Sequence, residues 1–282
     1  MDFSNPLVSQ LIDLAIQEDI GEGDHSSLGS IPSNTIGKAR LLVKDEGVLC
    51  GVDLAQIILH KIDSSVGFNP LLLDGASVKH GDIAFTIEGS VHSILQAERL
   101  MLNFMQRMSG VATVTHNLAK LIEGTNAKLL DTRKTTPGLR TFEKYAVKVG
   151  GGENHRFALY DMVMLKDNHI DYAGGITEAV KRTVSYLQNT KKNLKIEVET
   201  RNLQEVEEAL STGKVDRIMF DNFTPELMEE GVTLVNGKCE TEASGGITAE
   251  TIRSYADTGV DFISVGALTH SVKSLDLSLK EF

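Results

Sequence analysis

The chain has 282 residues, 41% hydrophobic and 24% charged, enough for one large domain or one large and one small, with a sizeable core. Its formal net charge of −11 argues against a nucleic-acid-binding surface, and no apolar run is long enough to span a bilayer. Only Cys50 and Cys239 occur, without metal-type spacing, and MDFSNPLVSQ lacks a basic region followed by an apolar stretch; neither a disulfide framework, a zinc site nor a secretory signal is expected, and the default location is cytoplasmic.

Leu7–Glu18 carries apolar residues at Leu7, Leu11, Leu14 and Ala15, the spacing of a short amphipathic helix. After the GEGDHSS turn come strand-like runs at Gly37–Val43, Gly47–Cys50 and Asp82–Ile87. A helix is predicted between them over Asp53–Ile62, with Asp53 as its cap. This mixture reads as a small α+β domain. Ser93–Met108 repeats Leu95, Leu102, Met105 and Met108 and is helical, its methionines core residues; Ser109–Gly110 should break the run before Val111–Ile122 restarts it.

From Ala127 the pattern becomes regular. Strands are predicted at Ala127–Asp131, Met162–Lys166, Leu194–Glu199, Arg217–Phe220, Lys238–Ala243 and Phe262–Val265. Helical runs intervene, including Ile176–Leu187, Leu203–Leu210, Glu226–Glu230 and Ala249–Thr258. Alternation of this kind means an α/β fold with a parallel sheet and crossover helices, and six or more units favour a barrel, incomplete or irregular here. Nearly every strand runs into a polar or glycine residue: Arg133, Lys166, Glu199, Asp221, Ser244 with Gly245–Gly246, and Gly266. In α/β barrels these carboxyl ends line the active site.

The densest chemistry lies in Asp131–Ile170, with seven Lys/Arg against five Asp/Glu in an acidic chain. A concentrated cationic site suggests an anionic small substrate. Arg133, Lys134, Arg156 and Lys166 can hold carboxylates or phosphates. Glu199 and Asp221 suit ribose hydroxyls, a divalent metal or an oxocarbenium-like transition state. The glycines of SGGI (Ser244–Ile247) and SVGA (Ser264–Ala267) offer backbone N–H groups to phosphate just before helices. Those of GGGENHR permit a turn that aims His155 and Arg156 inward. His169 is open between a site role and bracing its strand end, and Asp161 and Glu143 read as structural partners of nearby cations.

DTRKTTPGLR, EKYAVKVGGGENHR and KDNHI, together with EDIGEGDHSS, EGVLCGVD, AERLMLNFMQRMSGVAT, IEVET, MFDN and ASGGI in order, make the chain resemble the quinolinate phosphoribosyltransferases over nearly its whole length. Phe220 departs from that family's usual leucine in the LDN motif. The resemblance implies an N-terminal α+β sandwich over residues 1–108, joined by a tail at 271–282, and an incomplete barrel of about seven strands over 109–270. It implies transfer of phosphoribosyl from 5-phosphoribosyl 1-pyrophosphate to quinolinate with decarboxylation, and magnesium as cofactor. Lys134, Lys166, Glu199 and Asp221 would be catalytic. Thr132, Arg133, His155, Arg156, Ser244, Gly245, Gly246, Val265, Gly266 and Ala267 would join them in binding substrates, and Glu199 and Asp221 would meet magnesium directly or indirectly. Arg99 of the AER motif would enter the neighbouring protomer's site in a homodimer, alone or within a higher oligomer. The alternatives are a molybdenum-transport-associated relative of the same fold and a non-catalytic anion-binding barrel.

Overall fold

The structure is a computed structural model that describes residues 5–282; Met1–Ser4 of the expected N-terminal domain lie outside the described residues. The chain divides into two compact units. Unit 1 runs to His116 and takes in Thr135–Gly151 and Leu268–Phe282, whereas unit 2 comprises Asn117–Lys134 and Gly152–Ala267. This differs from a single division after residue 108. Within unit 1, the helix at Arg140–Val149 is held by Tyr145 Oη donating to Asp74 (2.9 Å), Phe142 against Phe104, and Glu143 paired with Arg107 at 2.7 Å.

In unit 1, helix α1 (Pro6–Ile20) starts where the Asn5 side chain accepts the Leu7 N–H, with proline at its first position. Its buried face is Val8 and Ile12, while Leu7 and Leu14 of the expected stripe are 72% and 60% exposed. Two apolar rows run along this helix, and tertiary packing selects between them. Asp24 caps α2 (His25–Ser30), a helix where the sequence shows only a turn. Strands β1 (Ile36–Val43) and β2 (Gly47–Val48) lead to α3 (Val52–Ile62), whose cap is Gly51 and not Asp53. The open N–H groups of Gly51 and Val52 are met instead by Asp74 Oδ1 at 2.8 and 2.9 Å. Next come β3 (Gly67–Pro70), β4 (Ser77–Val78) and β5 (Ile83–Ser90).

Helix α4 (Val91–Leu121) is continuous through Ser109–Gly110. Met101, Met105 and Met108 are buried as expected, whereas Leu95 is 40% exposed. The Ser109 hydroxyl does not compete with the helix; it accepts the Cys50 N–H and donates to the Cys50 carbonyl. At Gly110 a β-carbon would strike the Lys273 carbonyl and lie 3.0 Å from Val272 Cγ1. The two residues that look like a breaker are a polar clasp and a close-approach point. Helix α5 (Arg140–Val149) also belongs to this unit.

In unit 2, strands β6 (Lys128–Leu130), β7 (Val163–Leu165), β8 (Ile196–Thr200), β9 (Arg217–Asp221), β10 (Glu240–Ser244) and β11 (Phe262–Ser264) fall at the six expected positions. Helices α6 (Asp167–Ala173), α7 (Ile176–Thr190), α8 (Leu203–Ser211), α9 (Pro225–Val235) and α10 (Ile252–Ala256) intervene, and α11 (Ala267–His270) starts at the last residue of unit 2 and runs on in unit 1. The strands pair in parallel in the order β6-β11-β10-β9-β8-β7. The expected seventh strand is only a bridge between Leu130 and Glu153, and among the described residues nothing joins it to β7, so the barrel is not closed.

The register places Glu197 and Glu240 opposite Arg217, Glu199 and Glu242 opposite Met219, and Ser244 opposite Asp221. One face is therefore unusually polar. The other carries Val198, Ile218, Phe220, Ala243 and Ile263, all fully buried. In unit 1, strand β12 (Leu277–Glu281) completes an antiparallel sheet of order β12-β1-β5-β3.

Gly110→Ala is expected to lower the melting temperature, because overpacking at such a contact costs about 1–3 kcal/mol and outweighs alanine's helix preference. Gly29→Ala in α2, where nothing lies within 4 Å, should leave it unchanged or raise it. An unchanged melting temperature for Gly110→Ala would refute the close approach.

Candidate active site

The site begins at the carboxyl end of β6. Asp131, fully buried, accepts the His155 N–H at 2.9 Å and the Asn154 side chain at 2.6 Å, and so ties the glycine-rich turn to the strand. Beyond it, Thr132 Oγ1 accepts the Lys134 N–H at 3.0 Å. Thr132, Arg133 and Lys134 line a cavity of about 160 Å³, with His155 and Arg156 from the turn and Lys166 from the end of β7. Met164, Met219, Glu242, Ser244 and Ser264 also line it.

Its cations crowd one another: burial, and then the charge of Arg133, lowers the Arg156 pKa. Such a group is relieved by a bound dianion. Asp161 accepts the Phe157 and Ala158 N–H groups, which folds the loop following Arg156. His169 Nδ1 accepts the Lys166 N–H at 3.1 Å, so it braces the strand end.

Beneath the cations lies a charged layer. His155 Nε2 is 2.9 Å from Glu197 and 3.3 Å from Glu242, and Arg217 Nη1 donates to Glu242 at 2.9 Å. Glu197 and Glu242 are fully buried, and the Arg217 guanidinium lies 4.1 Å from the Phe262 ring centre. In the neutral ring the Arg156 N–H donates to His155 Nδ1 at 2.6 Å, so the proton is on Nε2, facing the carboxylates; charging the ring protonates Nδ1 as well and gives up that bond. Burial works against charge on His155, but the two carboxylates override it and carry its pKa up to about 9. Burial and the neighbouring Glu242 push the Glu197 carboxyl up to about 7. The cluster holds a shared proton and releases it only in alkali.

The carboxylates of Glu199 and Asp221 stand at neighbouring strand ends. Glu199, 9% exposed, lies 3.4 Å from Lys166 Nζ, and its pKa is raised by burial and by the charge of Asp221. Asp221 ends β9, opposite Ser244. Gly245 and Gly246 both take positive φ, +105° and +61°, conformations that favour glycine. The helices after the two glycine loops have only five and four residues, so anion binding there rests on loop N–H groups more than on a helix dipole. Val265 donates its N–H to the Leu130 carbonyl at 3.0 Å, which leaves it a packing role beside Gly266 and Ala267. Arg99, exposed on α4, is the one predicted site residue outside unit 2.

The sequence reading missed Glu197, Arg217 and Glu242. Their signal was present: a parallel strand buried on both faces should be continuously apolar, yet IEVET, RIMFD and ETEAS carry charge at alternate positions.

The N-terminal domain model of quinolinate phosphoribosyl transferase matches residues 24–109 and the C-terminal domain model residues 111–280. The chain is 45% identical over 285 residues to quinolinate phosphoribosyltransferase (decarboxylating) 1b of Nicotiana tabacum, covering 96% of this chain and 81% of that one. It is 41% identical to a probable nicotinate-nucleotide pyrophosphorylase (carboxylating) of Bacillus subtilis, covering 96% and 92%. The crystal structure of NadC from Streptococcus pyogenes is similar with a TM-score of 0.92 at 39% identity, covering 98% and 97%.

The buried layer makes stability depend on pH. A His155 pKa raised from 6.5 to about 9 contributes stability that is complete below pH 6.5 and lost as pH rises through 9; the raised Glu197 acts in the same sense at lower pH. The melting temperature should therefore fall between pH 6 and 9.5, and His155→Gln should remove the part above pH 7. A wild-type profile flat over that range would contradict the shared proton.

Proposed function

The chain belongs to the quinolinate phosphoribosyltransferase family, and from that membership we propose its reaction. It transfers phosphoribosyl from 5-phosphoribosyl 1-pyrophosphate to the ring nitrogen of quinolinate with loss of carbon dioxide, giving nicotinate mononucleotide and pyrophosphate for NAD synthesis. The observation that carries this reading is the pair of family domains covering residues 24–280. The cationic cavity at the carboxyl ends of the unit 2 strands agrees with it.

Arg133, Lys134, Arg156 and Lys166 take the quinolinate carboxylates and the pyrophosphate, and hold the pyridine nitrogen against the anomeric carbon. Glu199 and Asp221 offset positive charge growing on the ribose as pyrophosphate departs. The Ser244–Gly246 and Gly266–Ala267 loops face the 5′-phosphate. Once ribosylated, the cationic pyridinium nitrogen stabilises the electron pair left on the adjacent carbon when its carboxylate departs as carbon dioxide, and a proton from water then converts that carbon to C–H.

Magnesium fits the Glu199 and Asp221 rim: two carboxylates at neighbouring strand ends, with the Glu199 pKa raised by burial and then by the charge of Asp221, match an ion that takes one or two carboxylates plus substrate phosphates. When bound, it would neutralise the departing pyrophosphate. The closer group of His155, Glu197 and Glu242 does not fit, because Arg217 already balances it and one ligand atom is nitrogen.

The working unit is a homodimer, alone or within a higher oligomer, with Arg99 completing the partner's site. Support comes from the exposure of Leu95 one turn before Arg99, and of Leu7 and Leu14 in the same unit. The location is cytoplasmic; among the described residues no helix is long and apolar enough to cross a membrane, and both cysteines are free. The alternative of a simple anion receptor gains nothing from the site, since it is weakened by carboxylates such as Glu199 and Asp221 near its cations.

Nicotinate mononucleotide should form from quinolinate and not from nicotinate, because nicotinate lacks the second carboxylate that Arg133, Lys134, Arg156 and Lys166 would engage. Lys134→Ala should abolish most of this activity without changing the melting temperature. Comparable turnover of nicotinate would reject the substrate assignment.

Mixing Arg99→Ala with Lys134→Ala protomers should restore activity, since a mixed dimer then contains one site with neither defect. Absence of recovery after verified subunit exchange would reject the shared site.

A further inference from the structure

We propose that Asn222 is a positioning residue that locks the Asp221 carboxylate to the Ser244–Gly246 loop, so that the ribose-side acid and the 5′-phosphate loop are presented as one rigid piece. The proposal rests on the reaction given above and adds a residue and a coupling to it.

The backbone is the first sign. Among the described residues, three that are not glycine have positive φ: Lys191, Asn222 and Asn236. Lys191 and Asn236 close helices α7 and α9, where a left-handed residue is ordinary. Asn222, at φ 56°, closes no helix and follows a strand end directly. Such a conformation persists only where the surroundings hold it.

Two sets of contacts do so. The Asn222 N–H donates to the Ser244 carbonyl at 2.8 Å, extending the β9–β10 ladder past Asp221. Its side-chain Nδ2 donates to Asp221 Oδ2, also at 2.8 Å. That bond engages one carboxylate oxygen and sets the direction of the other. The remainder of the carboxamide presses on Gly245: a β-carbon there would overlap Asn222 Oδ1 and lie 2.7 Å from its Cγ. A single side chain therefore touches both the carboxylate and the glycine loop, and a left-handed backbone is what turns it toward both. Asparagine is the residue that tolerates this conformation while carrying an amide donor.

Asn222→Gly isolates the claim, because glycine keeps the left-handed backbone and its N–H and removes only the carboxamide. The expected result is a fall of about 10–100-fold in kcat/KM for 5-phosphoribosyl 1-pyrophosphate, the scale of a small misplacement of reacting groups. KM for quinolinate and the melting temperature should stay near wild type. In an Asp221→Ala background the same substitution should cost little further; equal losses in both backgrounds, or normal kinetics in the single variant, would overturn the proposal.

A second measurement needs no activity. Gly245→Ala should lower the melting temperature more in the wild type than in Asn222→Gly, where the obstructing carboxamide is gone, and equal losses would overturn the coupling. If the wild type makes no nicotinate mononucleotide, the functional reading fails, while this measurement still decides whether Asn222 and Gly245 are joined.

Discussion

Arg217, Glu242, His155 and Glu197 form a chain of opposite charges inside unit 2, and the cavity is built on it. Charges buried this deeply survive only through one another. Removing a partner from such a pair costs about 3–5 kcal/mol, because the remaining ion stays buried without compensation. The layer also sets geometry. The carboxylates hold His155 from one side and the Arg156 N–H engages it from the other, so the direction of this cavity-lining arginine is inherited from two glutamates behind the imidazole. Acids beneath an anion-binding site are reasonable on these terms: they are balanced by Arg217 and by the imidazole, and their field is spent locally.

Above this floor the site depends on the ends of strands. Asp131 ties its turn to β6, His169 braces Lys166 at the end of β7, and Asn222 joins the ends of β9 and β10. Each functional loop is thus anchored by a short polar bond within one residue or so of its strand. The long, exposed cations need no such support, since they are organised by the anions they meet.

The six parallel strands were legible because short strand-length runs alternate regularly with helical ones, and their polar ends pointed to the cations and to Glu199 and Asp221. The capping of α3 was not legible, since its acceptor, Asp74, lies beyond both α3 and β3, 22 residues after Val52. Ser109–Gly110 carries the composition of a break, yet its meaning depends on Cys50 and Lys273, which no local pattern reveals. The face of α1 was likewise undecidable from spacing, because Leu7 with Leu14 and Val8 with Ile12 fit a helix equally well. The buried charged layer is written in the alternate residues of three strands, but which of those charges meet one another depends on the sheet register, which no single strand reveals.

The sheet order of unit 1 bears on how the protein is made. Strand β12 pairs with β1 from Ala39↔Glu281 to Val43↔Leu277, and Leu277 and Leu279 are buried there. A ribosome emits β1 early and β12 only after every strand of unit 2. Throughout that interval one edge of β1 has no native neighbour, and an uncovered strand edge invites pairing with other chains. The first sheet to leave the ribosome is therefore the last to be finished, and the nascent chain must keep it from the wrong partner until its final strand arrives.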